Sequence, residues 1–182
     1  MSNKVQKFLV EENPMKVSQM INEYLDVFRE YLYSLSMHEI KRECVSGLNR
    51  IDRKDAISSL ELDIRIRVGD IVYVDFGQAY LNESGFQHFG LVLALFSYKA
   101  FVIPMSSNYR TIRNAPNYPG AIDSKNHLYY IGKPDGMHKE SVLFLNDAKF
   151  INTARIIDLI AHMSPESEEF LEILNVYREI FE

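Results

Sequence analysis

The chain has 182 residues, 47% of them apolar, with 11 Tyr, 11 Phe, no Trp and a net charge of −5. That length suits one domain or a small domain with an appendage, with enough apolar residues for a proper core. The acidic balance argues against nucleic acid binding over the whole surface; the single cysteine excludes an intrachain disulfide and fits a reducing cytosol; and the lack of a long apolar run argues against a signal peptide or membrane span, so a cytoplasmic protein is expected.

Residues 1–14 read as a loose arm ending at Pro14. From Met15 the pattern is helical: Val17, Met20, Ile21, Tyr24, Leu25, Phe28 and Leu32 recur at spacings of three and four and share one face of about five turns. Ser36 with Glu39 three residues on has capping-box spacing and opens a second helix. Its expected buried stripe is Met37, Ile40, Cys44, Val45 and Leu48, which makes Cys44 an inert buried thiol. Asp52 to Leu60 reads as a third, shorter helical piece. These stripes read as ordinary core, with a surface for a partner helix as the alternative.

At Ile64 the texture changes. Ile71 to Phe76 is rich in β-branched and aromatic residues and predicts a strand that Gly77 ends, followed by a polar loop over 78–87. Phe89 to Phe96 is nearly all apolar, as expected of a strand covered on both faces. The short link Ser97-Tyr98-Lys99 predicts a hairpin to a third strand, Ala100 to Met105, whose Pro104 limits pairing near its end. Residues 106–127, with Asn108, Asn114, Pro116, Asn117, Pro119 and Gly120, form a long loop of the functional or mobile kind. Strands are expected at His127–Ile131, Ser141–Leu145 and Asn146–Ile151, then a helix over Thr153–His162 and another opened by Ser164-Pro165-Glu166. Phe170, Leu171, Leu174, Tyr177 and Ile180 form the stripe of that last helix.

Close-set strands with polar groups at their ends are the layout of a small β-barrel with chemistry at its rim. The fold expected is α+β: a helical extension over 1–63, then a barrel with C-terminal helices over 64–182. Charge is uneven along the chain. Residues 64–135 hold 7 basic and 5 acidic residues, against 9 and 11 before them and 4 and 9 after. An anionic ligand therefore remains possible at the middle of the chain.

The runs Gly69-Asp70-Ile71-Val72-Tyr73-Val74-Asp75-Phe76-Gly77, Gly85…His88-Phe89-Gly90-Leu91-Val92-Leu93 and Val102-Ile103-Pro104-Met105-Ser106-Ser107 resemble the MazF/PemK-like toxins. Glu140 to Ile156 resembles that family's last strand and the start of its next helix, so the likeness covers residues 65 to about 160. It implies an SH3-like barrel of the PemK/MazF/CcdB-like kind and a homodimer. It implies a metal-independent, cofactor-free endoribonuclease toxin of a type II toxin–antitoxin pair, with single-stranded RNA as substrate and a small antitoxin as partner. The family's best catalytic positions are an arginine opening the second strand, in a Gly-x-x-Arg-Pro pattern, and a Thr or Ser ending the third. Ser106 matches the latter; His88 and Phe89 stand where the family has arginine and proline.

RNA is cut when its 2′-hydroxyl is deprotonated and the phosphate charge is stabilised, which needs a base, an acid and a cradle for phosphate oxygens. Imidazole titrates near neutral pH, which suits His88 to proton transfer; an arginine does not titrate there. Ser106 and Ser107 offer hydroxyls to the phosphate. Arg110, Arg113 and Lys125 offer cations, and Tyr109 and Tyr118 offer stacking surfaces for bases. Each has a plainer reading: His88 as a hydrogen-bonded rim residue, Ser106 as a strand-end cap, the arginines as solvated loop charges, and Asp75 as acceptor of a backbone amide before Gly77. The remaining histidines, His38, His127, His138 and His162, lack metal-ligand spacing. The rival functional reading is a MazF/PemK-like binding module without nuclease activity, with region 15–60 serving assembly; in a third, residues 1–63 cover the groove in cis.

Overall fold

A computed structural model describes residues 14–180, so the arm expected before the first helix lies outside the described residues. The chain divides into two compact units, Met1–Arg42 and Glu43–Glu182.

In the first unit, helix α1 (Pro14–Ser34) is followed by the opening of helix α2 (Met37–Asp52). The capping box forms as expected: the Ser36 amide and hydroxyl both donate to the Glu39 carboxylate, at 2.8 and 2.6 Å. These bonds hold the Glu39 carboxyl below the usual carboxylate range. The apolar stripe of α1 is not core. Val17, Ile21, Tyr24 and Leu25 are 46–56% exposed, and Tyr24 stacks on Phe28 at 5.8 Å.

The second unit is built on a seven-stranded antiparallel sheet: β1 (Asp70–Asp75), β2 (Gln87–Phe96), β3 (Lys99–Ser106), β4 (Leu128–Gly132), β5 (Ser141–Phe144), β6 (Lys149–Asn152) and β7 (Ile156–His162). The order is β4-β5-β3-β2-β1-β7, with β6 also paired to β3. The sheet is open, with β4 and β7 at its edges, so "barrel" describes its curvature and not a closed ring. β3 bonds to β6 through residues 99–102 and to β5 through 105–106. Pro104, which has no N–H to give, falls in the interval between the two partners.

Alternating residues feed two faces. Ile71, Leu91, Ile103, Met105 and Leu143 pack under Phe170 and Ile173 of the last helix, α4 (Glu168–Glu179). Val72, Val74, Phe76, Val92, Val102, Ile151 and Ile156 form the opposite cluster, backed by Ile64 and Ile66. This double burial explains the unbroken apolar run of β2. At Gly90 a Cβ would collide with Val102, so only glycine lets the strands close there.

Three helical expectations fail. Thr153–His162 is a short 3-10 turn, Thr153–Arg155, followed by strand β7, so the stretch up to Ile156 likened to the entry of a family helix leads into a strand. β7 meets β1 with register shifts at two places, leaving Ile157 and Ile160 as extra residues. Those bulges break the period of two and leave helix-like spacing in the sequence. Asp52 ends α2, and the rest of the expected piece to Leu60 holds only the start of a 3-10 turn at Ser59–Leu62. The last helix starts at Glu168 because Ser167, not Ser164, caps it: its hydroxyl accepts from the Phe170 amide at 3.2 Å.

The largest departure is α2. Within the second unit its Glu43 and Ser46 are buried, while Cys44, Val45, Leu48 and Ile51 are exposed. The expected stripe points outward and the polar face points in, so Cys44 is an accessible thiol.

Candidate functional site at the sheet rim

The strand register places His88 and Ser106 together. His88 pairs with Val74 across β1–β2, and Ser106 pairs with Val142 across β3–β5. Between β2 and β3 the pairs run Gly90–Pro104 and end at Phe89–Met105; His88 and Ser106 each lie one residue beyond that last pair, and the same register continued would oppose them. Directly opposed residues share a face. Continued in that way, one rung across four strands reads Val74, His88, Ser106, Val142. The two valines are fully buried; His88 and Ser106 are each half-buried. The imidazole and hydroxyl positions thus lie between two apolar clusters. One is that of Val74 and Phe76; the other is Val142 with Ile112, Ala115 and Leu128.

The loop after Ser106 is more ordered than expected. The Ser106 hydroxyl accepts from the Asn108 amide at 3.1 Å, and Asn108 in turn caps the one-turn helix α3 (Tyr109–Ile112) through the Arg110 amide at 3.0 Å. Asn117 bonds both ways with the Tyr130 backbone, at 2.7 and 2.8 Å, occupying the free edge of β4 as a strand would. The Lys125 amide donates to the Asn114 carbonyl at 2.8 Å and the Ile122 amide to that of Arg113, so Lys125 is folded back beside the α3 segment. Ser107, Tyr109, Arg110 and Lys125 are exposed. Arg113 is half-buried, with its guanidinium 5.5 Å from the Tyr109 ring centroid, a cation–π pair. Tyr118 is committed elsewhere, packed edge-on to Tyr130 at 5.0 Å.

On the other side of the rung, Asp75 is 3% exposed and accepts four hydrogen bonds: from Ser46 Oγ (2.9 Å), Asn49 Nδ2 (3.2 Å), Gly77 N (2.8 Å) and Gln87 Nε2 (3.2 Å). The backbone-amide role is present, and the two α2 side chains join it. Arg155 donates to the Phe76 carbonyl at 2.9 Å, and Lys149 donates to the Ser84 carbonyl at 3.2 Å, fastening the β1–β2 loop beside His88. Gly77 has φ +83°, and a Cβ there would meet Arg155 Nη1 at 2.9 Å. Nothing in the spacing of Lys149 or Arg155 announced these anchors, because their partners are backbone carbonyls far along the chain.

At the far end of β1, His162 Nδ1 lies 2.7 Å from a carboxylate oxygen of fully buried Asp70, which also accepts from the Arg67 amide. A groove of about 870 Å³ lies between β4 and α4, where Tyr129 faces Glu172. Neither feature touches the His88–Ser106 rung. Among the described residues, no three His, Cys, Asp or Glu side chains are grouped to hold a metal ion, and no helix is long and apolar enough to cross a membrane.

No family model and no curated protein matches the sequence. Among solved structures the chain is similar to MazF (form I) from Deinococcus radiodurans, with 15% identity and a TM-score of 0.48 over 65% of this chain and 98% of that one. An endoribonuclease from a mycobacterial species gives 7% identity and a TM-score of 0.44, over 64% and 90%. An endoribonuclease in complex with its cognate antitoxin, also mycobacterial, gives 9% and 0.44 over 65% and 95%. All of these TM-scores lie below one half, so the chemistry of the site rests on its own residues.

Proposed function

We propose that the protein is a metal-independent endoribonuclease toxin of a type II toxin–antitoxin system that cleaves single-stranded RNA. The observation that supports this reading is the register of β1, β2, β3 and β5, in which His88 beside Val74 and Ser106 beside Val142 follow directly on the Phe89–Met105 pair. His88 takes the 2′-hydroxyl proton, the 2′-oxygen bonds to phosphorus as the bond to the 5′-oxygen breaks, and that oxygen takes a proton from water, giving a cyclic phosphate and a 5′-hydroxyl. Ser106 and Ser107 donate to the phosphate oxygens. Exposed Arg110 and Lys125 neutralise neighbouring phosphates, and Tyr109, 60% exposed with Arg113 held over its ring, stacks on a base. An antitoxin and a second copy of the chain are the partners this reading carries.

The test is cleavage of single-stranded RNA in excess EDTA, with His88→Ala and Ser106→Ala beside the wild-type chain. We expect a fall of at least ~100-fold for His88→Ala, and no cleavage where the RNA is 2′-deoxy at the scissile position. Equal background from wild type and His88→Ala would overturn the catalytic reading.

One observation favours the non-catalytic alternative. The Ser106 hydroxyl already accepts from the Asn108 amide, the role of a strand-end cap. Harmless expression in a bacterium, together with RNA binding that survives His88→Ala, would select that binding module.

A further inference from the structure

The strand pairing carries the Ser106 face on past Val142. Ser106 pairs with Val142 across β3–β5, and Val142 pairs with Tyr130 across β5–β4. Directly opposed residues share a face. Tyr130 therefore stands on the face of Ser106, two strand spacings or roughly 10 Å away, with a fully buried valine between them. A base attached to a phosphate at Ser106 reaches that far.

Tyr130 is firmly held. Asn117 bonds to both its backbone amide and its carbonyl, and Tyr118 packs edge-on to its ring. The ring leans toward the end of β4: its hydroxyl lies 3.9 Å from where a Cβ on Gly132 would stand. Gly132 pairs with Ser141. The residue before Ser141 is the exposed Glu140, whose carboxylate the Tyr130 hydroxyl faces. Burial, the hydrogen bond to Glu140 and the charge of Glu140 hold the phenol above its ordinary pKa. At neutral pH the phenol keeps its proton and donates, and the carboxylate accepts. An ionised carboxylate has about four lone-pair sites on its two oxygens, so one phenol leaves room for further donors.

We propose that Glu140, positioned by Tyr130, reads a guanine base next to the phosphate held at Ser106. Single-stranded RNA offers the Watson–Crick edges of its bases for hydrogen bonding. Guanine is the RNA base with two adjacent donors on that edge, N1–H and the N2 amino group, and a carboxylate accepts both in parallel. Adenine and cytosine set one amino donor beside a ring acceptor, and uracil sets N3–H between two carbonyls. Those acceptors would face the carboxylate's lone pairs with no donor between them, which costs affinity. In the turn between β4 and β5, Lys133 and Lys139 balance Asp135 and Glu140, so the carboxylate stands where an RNA strand meets no net negative charge. The proposal rests on the nuclease reading for its phosphate at Ser106, and the test separates the two.

The probes are single-stranded oligouridine RNAs, all-U or carrying one G, A or C at a fixed position. Each is made in a cleavable form and in a 2′-O-methyl form that only binds. The full chain is compared with Glu140→Gln and Tyr130→Phe. The wild-type chain is expected to bind the G-containing RNA roughly 5- to 150-fold more tightly than all-U, and to cut beside the G. Glu140→Gln should pass the preference to A, because a side-chain amide offers adenine one donor and one acceptor. Tyr130→Phe should shrink the preference for G without reversing it. A variant that is only less stable would lower all four RNAs together. Equal affinity for the four RNAs, or no binding, would overturn the proposal, as would a preference for G that survives Glu140→Gln unchanged. Binding selective for G without cleavage would uphold it and remove the nuclease reading; cleavage without base preference would do the reverse.

Discussion

Helices α2 and α4 have the same kind of sequence and opposite relations to the sheet. Both are amphipathic and both lie in or reach into the unit that holds the sheet. α4 inserts Phe170 and Ile173, each 2% exposed or less, into the cluster of Ile71, Leu91 and Leu143. α2 turns Glu43, Ser46 and Asn49 inward and leaves Val45, Leu48 and Ile51 outside. An apolar stripe announces that something covers it; it does not say what. The polar face of α2 becomes an attachment surface because β1 ends on Asp75, an acceptor with room for several donors. The apolar face of α4 does so because the sheet beneath it is apolar.

The largest test of this contrast is truncation on each helix. Phe170→Ala empties a buried site and is expected to cost about 3–5 kcal/mol. Ile51→Ala removes a side chain that is 62% exposed and is expected to stay within about 0.5 kcal/mol, measured by urea unfolding at a concentration where the chain is monomeric. Equal losses would mean that α2 is covered within its own chain, and the contrast would be gone.

Next in size is Asp75→Ala, which strands Ser46, Asn49, Gln87 and the Gly77 amide without their shared acceptor. A loss of about 2–3 kcal/mol is expected. The location of the effect is more telling than its size. Hydrogen exchange should quicken over residues 43–52 and stay unchanged over α4. Uniform quickening would show that α2 and the sheet open as one body.

How much of this was legible in the sequence differs by region. The strands β1 to β5 follow from β-branched runs and turn residues, and the capping box at Ser36 and Glu39 from spacing alone. The His88–Ser106 rung was approachable because both residues sit at strand ends joined by a short hairpin, whose register follows from the turn. β7 was hidden by its two bulges, which insert Ile157 and Ile160 and imitate a helical period. The inverted docking of α2 was hidden for a different reason. Its anchors, Asp75, Gln78, Ala154 and Ile156, are 26 to 103 residues away in the chain, and a periodicity records which residues share a face, not which way that face turns.

The smallest effect concerns the polar contact that α4 does make. Burial, reinforced by the hydrogen bond to Glu172 and the charges of Glu172 and Glu169, pushes the Tyr129 hydroxyl well above its ordinary pKa. An unfolded tyrosine ionises near pH ~10. Above that pH the folded chain therefore holds a proton that the unfolded chain releases, and stability attributable to Tyr129 falls as pH rises. Tyr129→Phe abolishes this dependence, because phenylalanine has no proton to lose in either state. The variant is expected to be less stable at pH 7, where the bond to Glu172 is lost, but the gap to wild type should narrow by about 1 kcal/mol between pH 9 and pH 11. A gap that stays constant over that range would mean that Tyr129 ionises in the folded chain as readily as in the unfolded one, and that water reaches the seam between β4 and α4. Among the described residues the buried tyrosine is Tyr129, so Ile51→Ala, followed over the same pH range, should show no narrowing.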